Sequence, residues 1–131
     1  MAEAQKYTVR AVAKGVDIAP RKVAIVASLV RGRSVADALV ILEHTTRRSA
    51  RPIAKVIASA QANATNNHSL DPKSLVISTL NVTTGPRMKR FKPHMRGMAL
   101  PFQKKSSHIL VEVTGVEKVK KKPAAKKEET K

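Results

Sequence analysis

The chain has 131 residues, 42% of them apolar but only 2% aromatic, which fits one modest domain with a core of Val, Ile, Leu and Ala. Its 26 Lys and Arg residues against nine acids give a formal net charge of +17, which favours nucleic acid over an anionic membrane surface as the partner. The chain has no Cys, which excludes a disulfide framework and a thiolate metal site, and no apolar run approaches the roughly 20 residues of a membrane span.

The first two predicted elements are a strand and a helix. Residues Tyr7 to Lys14 alternate between two faces, which predicts a short strand whose outer face is cationic through Arg10 and Lys14. Pro20 suits the first position of a helix, where its missing amide donor would have no partner anyway, and Gly32 is placed to end that helix. The apolar residues of this helix recur at helical spacing and are Val23, Val26, Ala27 and Val30.

Two further helices are predicted before the next strand. The segment Ser34–Asp37 has the form of a capping box and opens the second helix. The third helix runs from about Thr46 or Ser49 to about Asn66, and Pro52 must lie in its first turn or bend it. Its many Ala residues favour tight packing on a sheet, with close approach by RNA as the alternative. The predicted inner faces are Val35, Ala38, Leu39 and Leu42 in the second helix, and Ile53, Val56, Ile57, Ala60 and Ala64 in the third.

Two β-branched segments, Ser74–Thr84 and Ser107–Val116, follow a turn at Asp71 and Pro72 and are most simply paired antiparallel. Residues from about 85 to 103 then form the far end of an oversized hairpin, on an irregular path because Gly and Pro interrupt it. The predicted fold class is α+β: a two-layer β-α-α-α-β-β domain over residues 1–116, with a small antiparallel sheet, a long protruding β-hairpin and a basic C-terminal tail. The Lys-rich tail, residues 117–131, is predicted to be disordered.

The hairpin segment is cationic and contains no acid between Asp71 and Glu112. The rest of the domain has too few carboxylates to neutralise the cations of such a protruding segment. The segment therefore needs phosphates as counter-charges. Binding through six to ten phosphates is expected to weaken by roughly three to five decades over a fourfold rise in salt. Phe91 and Phe102 lie among the cations, and they either stack on bases or pack on each other to stiffen the tip. An irregular path suits folded RNA better than a DNA groove.

The candidate RNA-binding side chains come from the hairpin, the first strand and the two ends of the first helix. For any single cation outside the hairpin, a solvated charged surface is the alternative; for the group, the net charge favours phosphate contact. The candidates are Arg10, Lys14, Arg21, Lys22, Arg31, Arg33, Arg87, Lys89, Arg90, Lys92, Arg96, Lys104, Lys105 and His108.

Nothing in the sequence indicates catalysis. The four histidines, at positions 44, 68, 94 and 108, show no metal-ligand spacing, and no phosphate-binding glycine loop or nucleophile motif occurs. We therefore expect no enzyme activity, no cofactor and no metal. Two alternatives to a structural RNA-binding protein are considered: a DNA-compacting architectural protein, which would use the same charges without sequence preference, and a small RNA-modifying enzyme.

Four segments, in this order and spacing, resemble the bacterial large-subunit ribosomal protein family numbered twenty-two. The likeness covers roughly residues 7 to 115. The segments are APRKVAIVASLVRGRSVADAL from Ala19, KVIASAQANATNN from Lys55, GPRMKR from Gly85 and KKSSHILVEV from Lys104.

The resemblance implies a structural protein of the large ribosomal subunit, located on the ribosome in the cytoplasm. Its domain would lie near the exit of the nascent-peptide tunnel, with the hairpin threaded between RNA segments to line that tunnel, and it would support subunit assembly. Implied partners are large-subunit rRNA, neighbouring ribosomal proteins and the nascent polypeptide; we expect no membrane partner and no homo-oligomer. By position, Arg21 and Lys22 match an RNA-facing element, and the tunnel tip comprises Met88, Lys89, Arg90 and Phe91.

Overall fold

The computed structural model describes residues 7–117. In chain order the elements are β1 (Tyr7–Val16), α1 (Pro20–Val30), α2 (Val35–His44), α3 (Ala50–His68), β2 (Val76–Pro93) and β3 (Ala99–Gly115). The strands form one antiparallel sheet in the order β1-β3-β2. This is the α+β fold that the sequence predicts. Of the predicted tail, Glu117 forms an isolated bridge with Leu70, and residues 118–131 lie outside the described residues.

The helices pack on one face of the sheet, which we call the helix side; the opposite face is the open side. Alternation along each strand sends every second side chain to the helix side. On β3 these are Ile109, Val111 and Val113, all fully buried, and on β1 they are Val9 and Ala11. The core is therefore a single layer of aliphatic side chains between sheet and helices.

The helix boundaries follow from local chemistry. Pro20 occupies the first turn of α1, and Gly32, just beyond its end, has a φ of +72° that a residue without Cβ adopts at no steric cost. The amide of Asp37 donates to Ser34 Oγ at 3.2 Å, so the predicted cap of α2 is confirmed. Pro52 lies in the first turn of α3, where it costs no helical hydrogen bond.

The predicted inner faces are also confirmed. All four apolar residues named for the first helix are buried, and so are all five named for the third. In the second helix Leu39 is only partly buried, whereas the other three lie in the core. The Ala residues at positions 60 and 64 are fully buried within that core, which agrees with the predicted tight packing, whereas Ala58 and Ala62 lie on the exposed face of α3.

The regular pairing of β2 with β3 extends further than predicted. It runs from Val76 opposite Thr114 to Pro93 opposite Ala99, with one register shift near its start, between Ile77 and Thr79; from Thr84 onward the irregular path is confined to two places. One is a register shift between Thr84 and Arg87, and the other is the turn at residues 94–98. Past the end of β1, β2 and β3 pair only with each other, so each strand has one edge without a neighbouring strand. A proline, which lacks an amide donor, can occupy a position whose amide would face that edge without removing a hydrogen bond of the ladder.

Candidate nucleic-acid interface

The hairpin beyond the helices forms a two-sided ribbon. Every residue from 86 to 105 is exposed. Residues paired across the two strands share a face, and Lys105 continues the odd-numbered helix side of β3. On that side lie the pairs Arg87 with Lys105, Lys89 with Gln103 and Phe91 with Pro101. On the open side lie Met88 with Lys104, Arg90 with Phe102 and Lys92 with Leu100.

Cations and apolar groups therefore occur on both faces of the ribbon. Phe91 is 71% exposed and Phe102 is 48% exposed. They belong to opposite faces, so they do not pack on each other, and that alternative from the sequence is wrong. Each ring remains accessible to a flat partner such as a nucleic-acid base.

The residues that the resemblance assigns to the tunnel tip lie in a paired strand rather than in the turn. Met88, Lys89, Arg90 and Phe91 are all in β2, before Pro93. The turn itself is made by Met95, Arg96, Gly97 and Met98, and the amide of the last donates to the carbonyl of the first at 3.2 Å. The two Met side chains of the turn are 75% and 64% exposed, so the end of the hairpin is apolar as well as cationic.

Two predicted candidates are used by the protein itself at the base of the hairpin. The ammonium Nζ of Lys104 lies 2.8 Å from Oδ2 of Asp17. The imidazole Nδ1 of His108 accepts a hydrogen bond of 2.9 Å from the amide of Gly15. Both contacts join β3 to the β1 end and the connection after it, so these side chains help to orient the hairpin.

Three other candidates, from β1 and the end of α1, also lie next to groups of the protein itself. Arg31 donates from Nε to the carbonyl of Leu80 at 2.9 Å, which fastens the end of α1 to β2. Arg33, which follows α1, donates from Nε to the carbonyl of Leu29 in the last turn of that helix. Arg10 lies on the open side directly across from Glu112. Sequence periodicity could not show these contacts, because their partners are distant along the chain or in the backbone.

A cationic cluster that is not among the predicted candidates lies at the connection between α2 and α3. Arg47, Arg48 and Arg51 line a groove of about 690 Å³, with Glu43 on the same wall. Arg47 and Arg48 also line an adjacent cavity of about 480 Å³ together with Lys22. The signal was present in the sequence as three Arg within five residues, RRSAR, but it fell between two predicted elements.

A smaller cavity of about 220 Å³ lies where the hairpin leaves the helices. It is lined by Arg21 at the start of α1 and by Arg87 and Lys105, the first pair of the ribbon. The structure thus brings together three of the predicted candidates from three separate segments. The remaining cations of the ribbon extend away from this cavity along both faces.

No chemistry beyond ionic and apolar contact is indicated by the described part of the chain. Within residues 7–117 no three His, Asp or Glu side chains converge as they would around a metal ion. None of the helices in the same range is long and apolar enough to cross a membrane. What the surface offers is a cationic ribbon with accessible aromatic rings.

The fold and this surface define a class of protein: a small α+β domain that carries an exposed, carboxylate-free cationic β-ribbon. The family described as ribosomal protein L22p/L17e matches residues 11–114. The large ribosomal subunit protein uL22 of Pediococcus pentosaceus is 48% identical over 114 residues, covering 87% of this chain and 96% of that relative. The chain belongs to the ribosomal protein L22p/L17e family.

Family membership favours one of the alternatives that the sequence left open. It supports a structural ribosomal protein, whose place is on the ribosome in the cytoplasm and whose partners are rRNA and other ribosomal proteins. It gives no support to the DNA-compacting alternative. The role of the family is structural rather than catalytic, so the RNA-modifying alternative has no support either.

Proposed function

We propose that this protein is a structural constituent of the large ribosomal subunit, which binds large-subunit rRNA through its hairpin and supports subunit assembly. The observation that carries the proposal is the ribbon of residues 86–105, which is wholly exposed and contains no acid. A segment of that charge gains most when phosphates surround it, because each neutralised phosphate releases condensed counterions.

The two-sided character of the ribbon favours embedding in RNA over lying on a surface. Arg87 and Lys89 project on the helix side, and Arg90 and Lys92 project on the open side. A protein laid along one groove of duplex DNA would need cations on one face only. Folded RNA presents phosphates and unstacked bases around an inserted element, so it can satisfy both faces at once.

The tunnel role is proposed for the end of the hairpin. Seven paired residues, 87–93, carry the turn roughly 23 Å beyond the base at about 3.3 Å per residue. The proposed tunnel contacts are Met88, Lys89, Arg90 and Phe91, joined by the exposed Met95 and Met98 of the turn. Flexible, polarizable Met side chains suit a wall that meets nascent polypeptides of every sequence.

The other proposed RNA contacts lie outside the ribbon. Arg10 and Lys14 project from β1, Arg21 and Lys22 open α1, and Arg33 follows its end. Residues 1–116 are proposed to act as one domain in a single copy, with neighbouring ribosomal proteins and the nascent polypeptide as its protein partners. The tail at 117–131 adds seven Lys residues, which would extend the phosphate-binding surface.

The test is a direct comparison of ligands. Purified protein is titrated into a large-subunit rRNA transcript and, separately, into duplex DNA of equal charge, at several salt concentrations. We expect tighter binding to the rRNA at physiological salt and a steep fall in affinity as salt rises. Equal affinity for the two ligands would overturn the proposal, and so would binding that does not respond to salt.

A further inference from the structure

The cavity at the base of the hairpin has the charge of an anion site. Its cationic walls are Arg21 from α1, Arg87 from β2 and Lys105 from β3, and no acid lines it. Asp17 precedes Ala19, which lines the cavity, by two residues, but Asp17 is not part of the lining. Its carboxylate Oδ2 lies 2.8 Å from Nζ of Lys104. Three like charges around one small space repel one another, so the arrangement is stabilised when an anion occupies it.

The backbone around the cavity is shaped by a bulge. Thr84 pairs with Ser107, and Arg87 pairs with Lys105. Between these two pairs β2 has two residues and β3 has one, so β2 contains a bulge of one extra residue. At the bulge a Cβ on Gly85 would lie 2.6 Å from Ser106 Oγ and 3.1 Å from the Ser106 carbonyl carbon. Only Gly lets the two strands approach this closely.

A hydrogen bond holds the bulge in place. Ser106 Oγ donates to the carbonyl of Pro86 at 2.6 Å, across the pair of strands. Arg87 follows directly, so its side chain is set on the helix side, where the cavity lies. The extra residue thus places Arg87 on the helix side, in the lining that it shares with Arg21, instead of on the open side.

We propose that this cavity is a specific site for one RNA phosphate, which fixes the base of the hairpin against the RNA. The proposal rests on the proposed rRNA binding and adds to it a single defined contact. A phosphate group, whose four oxygens are each about the size of a water molecule, is small enough to enter a cavity of about 220 Å³. The planar guanidinium groups of Arg21 and Arg87 match the bidentate geometry of phosphate oxygens.

The first experiment counts phosphates by salt dependence. The slope of log affinity against log salt changes by about 0.9 per duplex phosphate and about 0.7 per single-strand phosphate. The triple variant Arg21→Gln, Arg87→Gln and Lys105→Gln is titrated into the large-subunit rRNA transcript. We expect its slope to fall by about one phosphate, since the three cations share one ligand. A fall equivalent to two or three phosphates, or no fall, would overturn the proposal.

A matched control removes three cations that face different directions. The triple variant Lys14→Gln, Lys89→Gln and Lys92→Gln takes one charge from β1 and one from each face of the ribbon. It has the same net charge as the cavity variant, so a general loss of charge affects both equally. We expect the control to lose more of the salt slope than the cavity variant does.

The second experiment measures coupling between two walls. Arg21→Gln and Arg87→Gln are each expected to weaken binding by about tenfold, and the double variant by much less than a hundredfold, because both contact the same phosphate. Additive losses would mean separate phosphates and would refute the site while leaving rRNA binding intact. If the unaltered protein did not bind the transcript at all, the proposed function itself would fail, which is a different outcome.

Discussion

Lys104 and Asp17 join the return strand of the hairpin to the connection after β1, with Nζ and Oδ2 2.8 Å apart. It is the one ion pair within 4.0 Å among residues 7–117. Both side chains are about half exposed, at 53% and 55%, so water screens the pair and its contribution to stability is at most about 1 kcal/mol. Its main effect is on charge, because it neutralises one cation at the base of the ribbon.

Replacing Asp17 with Asn is therefore expected to raise affinity for the rRNA transcript several-fold and to leave the free energy of unfolding within about 1 kcal/mol. The freed Lys104 should also steepen the salt dependence by up to one phosphate. The control is Glu43→Gln on the exposed surface of α2, which makes the same change in net charge away from the hairpin. Equal gains in the two variants would show that only net charge matters.

The helices could be predicted from the sequence because their signals are local. The spacing of Val23, Val26 and Val30 places them on one face, and the cap at Ser34 needs only residues three positions away. The alternation of aliphatic residues along β3 is an equally local signal, and it predicts which face of the strand is buried. In each case the physical cause of the structure lies within a few residues of its effect.

The hairpin and the cavity depend on distant partners. Pro and Gly predict interruption, yet the ladder continues because the ribbon has free edges for the prolines. Arg21 and Arg87 lie far apart in the sequence and meet only because α1 packs at the base of β2 and β3. The separation of Phe91 from Phe102 follows from the register, which the bulge after Thr84 sets.

His108 is expected to stabilise the base of the hairpin through the bond that its Nδ1 accepts from Gly15. His108→Ala should lower the free energy of unfolding by about 0.5–1.5 kcal/mol, the usual net value of one hydrogen bond. His108→Asn keeps an acceptor oxygen near the position of Nδ1 and should lose less. Chemical denaturation of the three proteins measures the difference. An Asn variant as unstable as the Ala variant would assign the effect to packing instead.

Val56 lies on the inner face of α3 and is 6% exposed. Val56→Asp is expected to unfold the domain at ambient temperature, because a carboxylate there would be buried without a partner and the total stability of such domains is only about 5–15 kcal/mol. Ala58→Asp, on the exposed face of the same helix, is the matched control and should change the melting temperature little. Circular dichroism during heating distinguishes them, and a Val56→Asp protein that melts like the control would contradict the buried face.

Shortening the hairpin should separate binding from folding. Removing only residues 88–90 would leave three residues of β3 unpaired and reverse the faces of the rest of β2. We therefore replace residues 88–104 with Asn-Gly, which removes both arms together and supplies a tight turn. The melting temperature is expected to change little, since no residue from 86 to 105 is buried. Affinity for the rRNA transcript should fall by orders of magnitude; an unfolded product would show that the arms support the domain.

The turn of the hairpin contains a strained residue. Arg96 has φ 53° and ψ 31°, and Gly97 has φ 77°, so both central residues are left-handed, as a type I′ turn requires. Asn tolerates that conformation better than Arg, so Arg96→Asn should relieve about 1 kcal/mol of strain. Arg96→Gln is the control, because it removes the same charge without the preference of Asn. Hydrogen exchange at the amide of Met98, which closes the turn, should slow in the Asn variant only. Equal exchange in the two variants would mean that the backbone at Arg96 carries no strain.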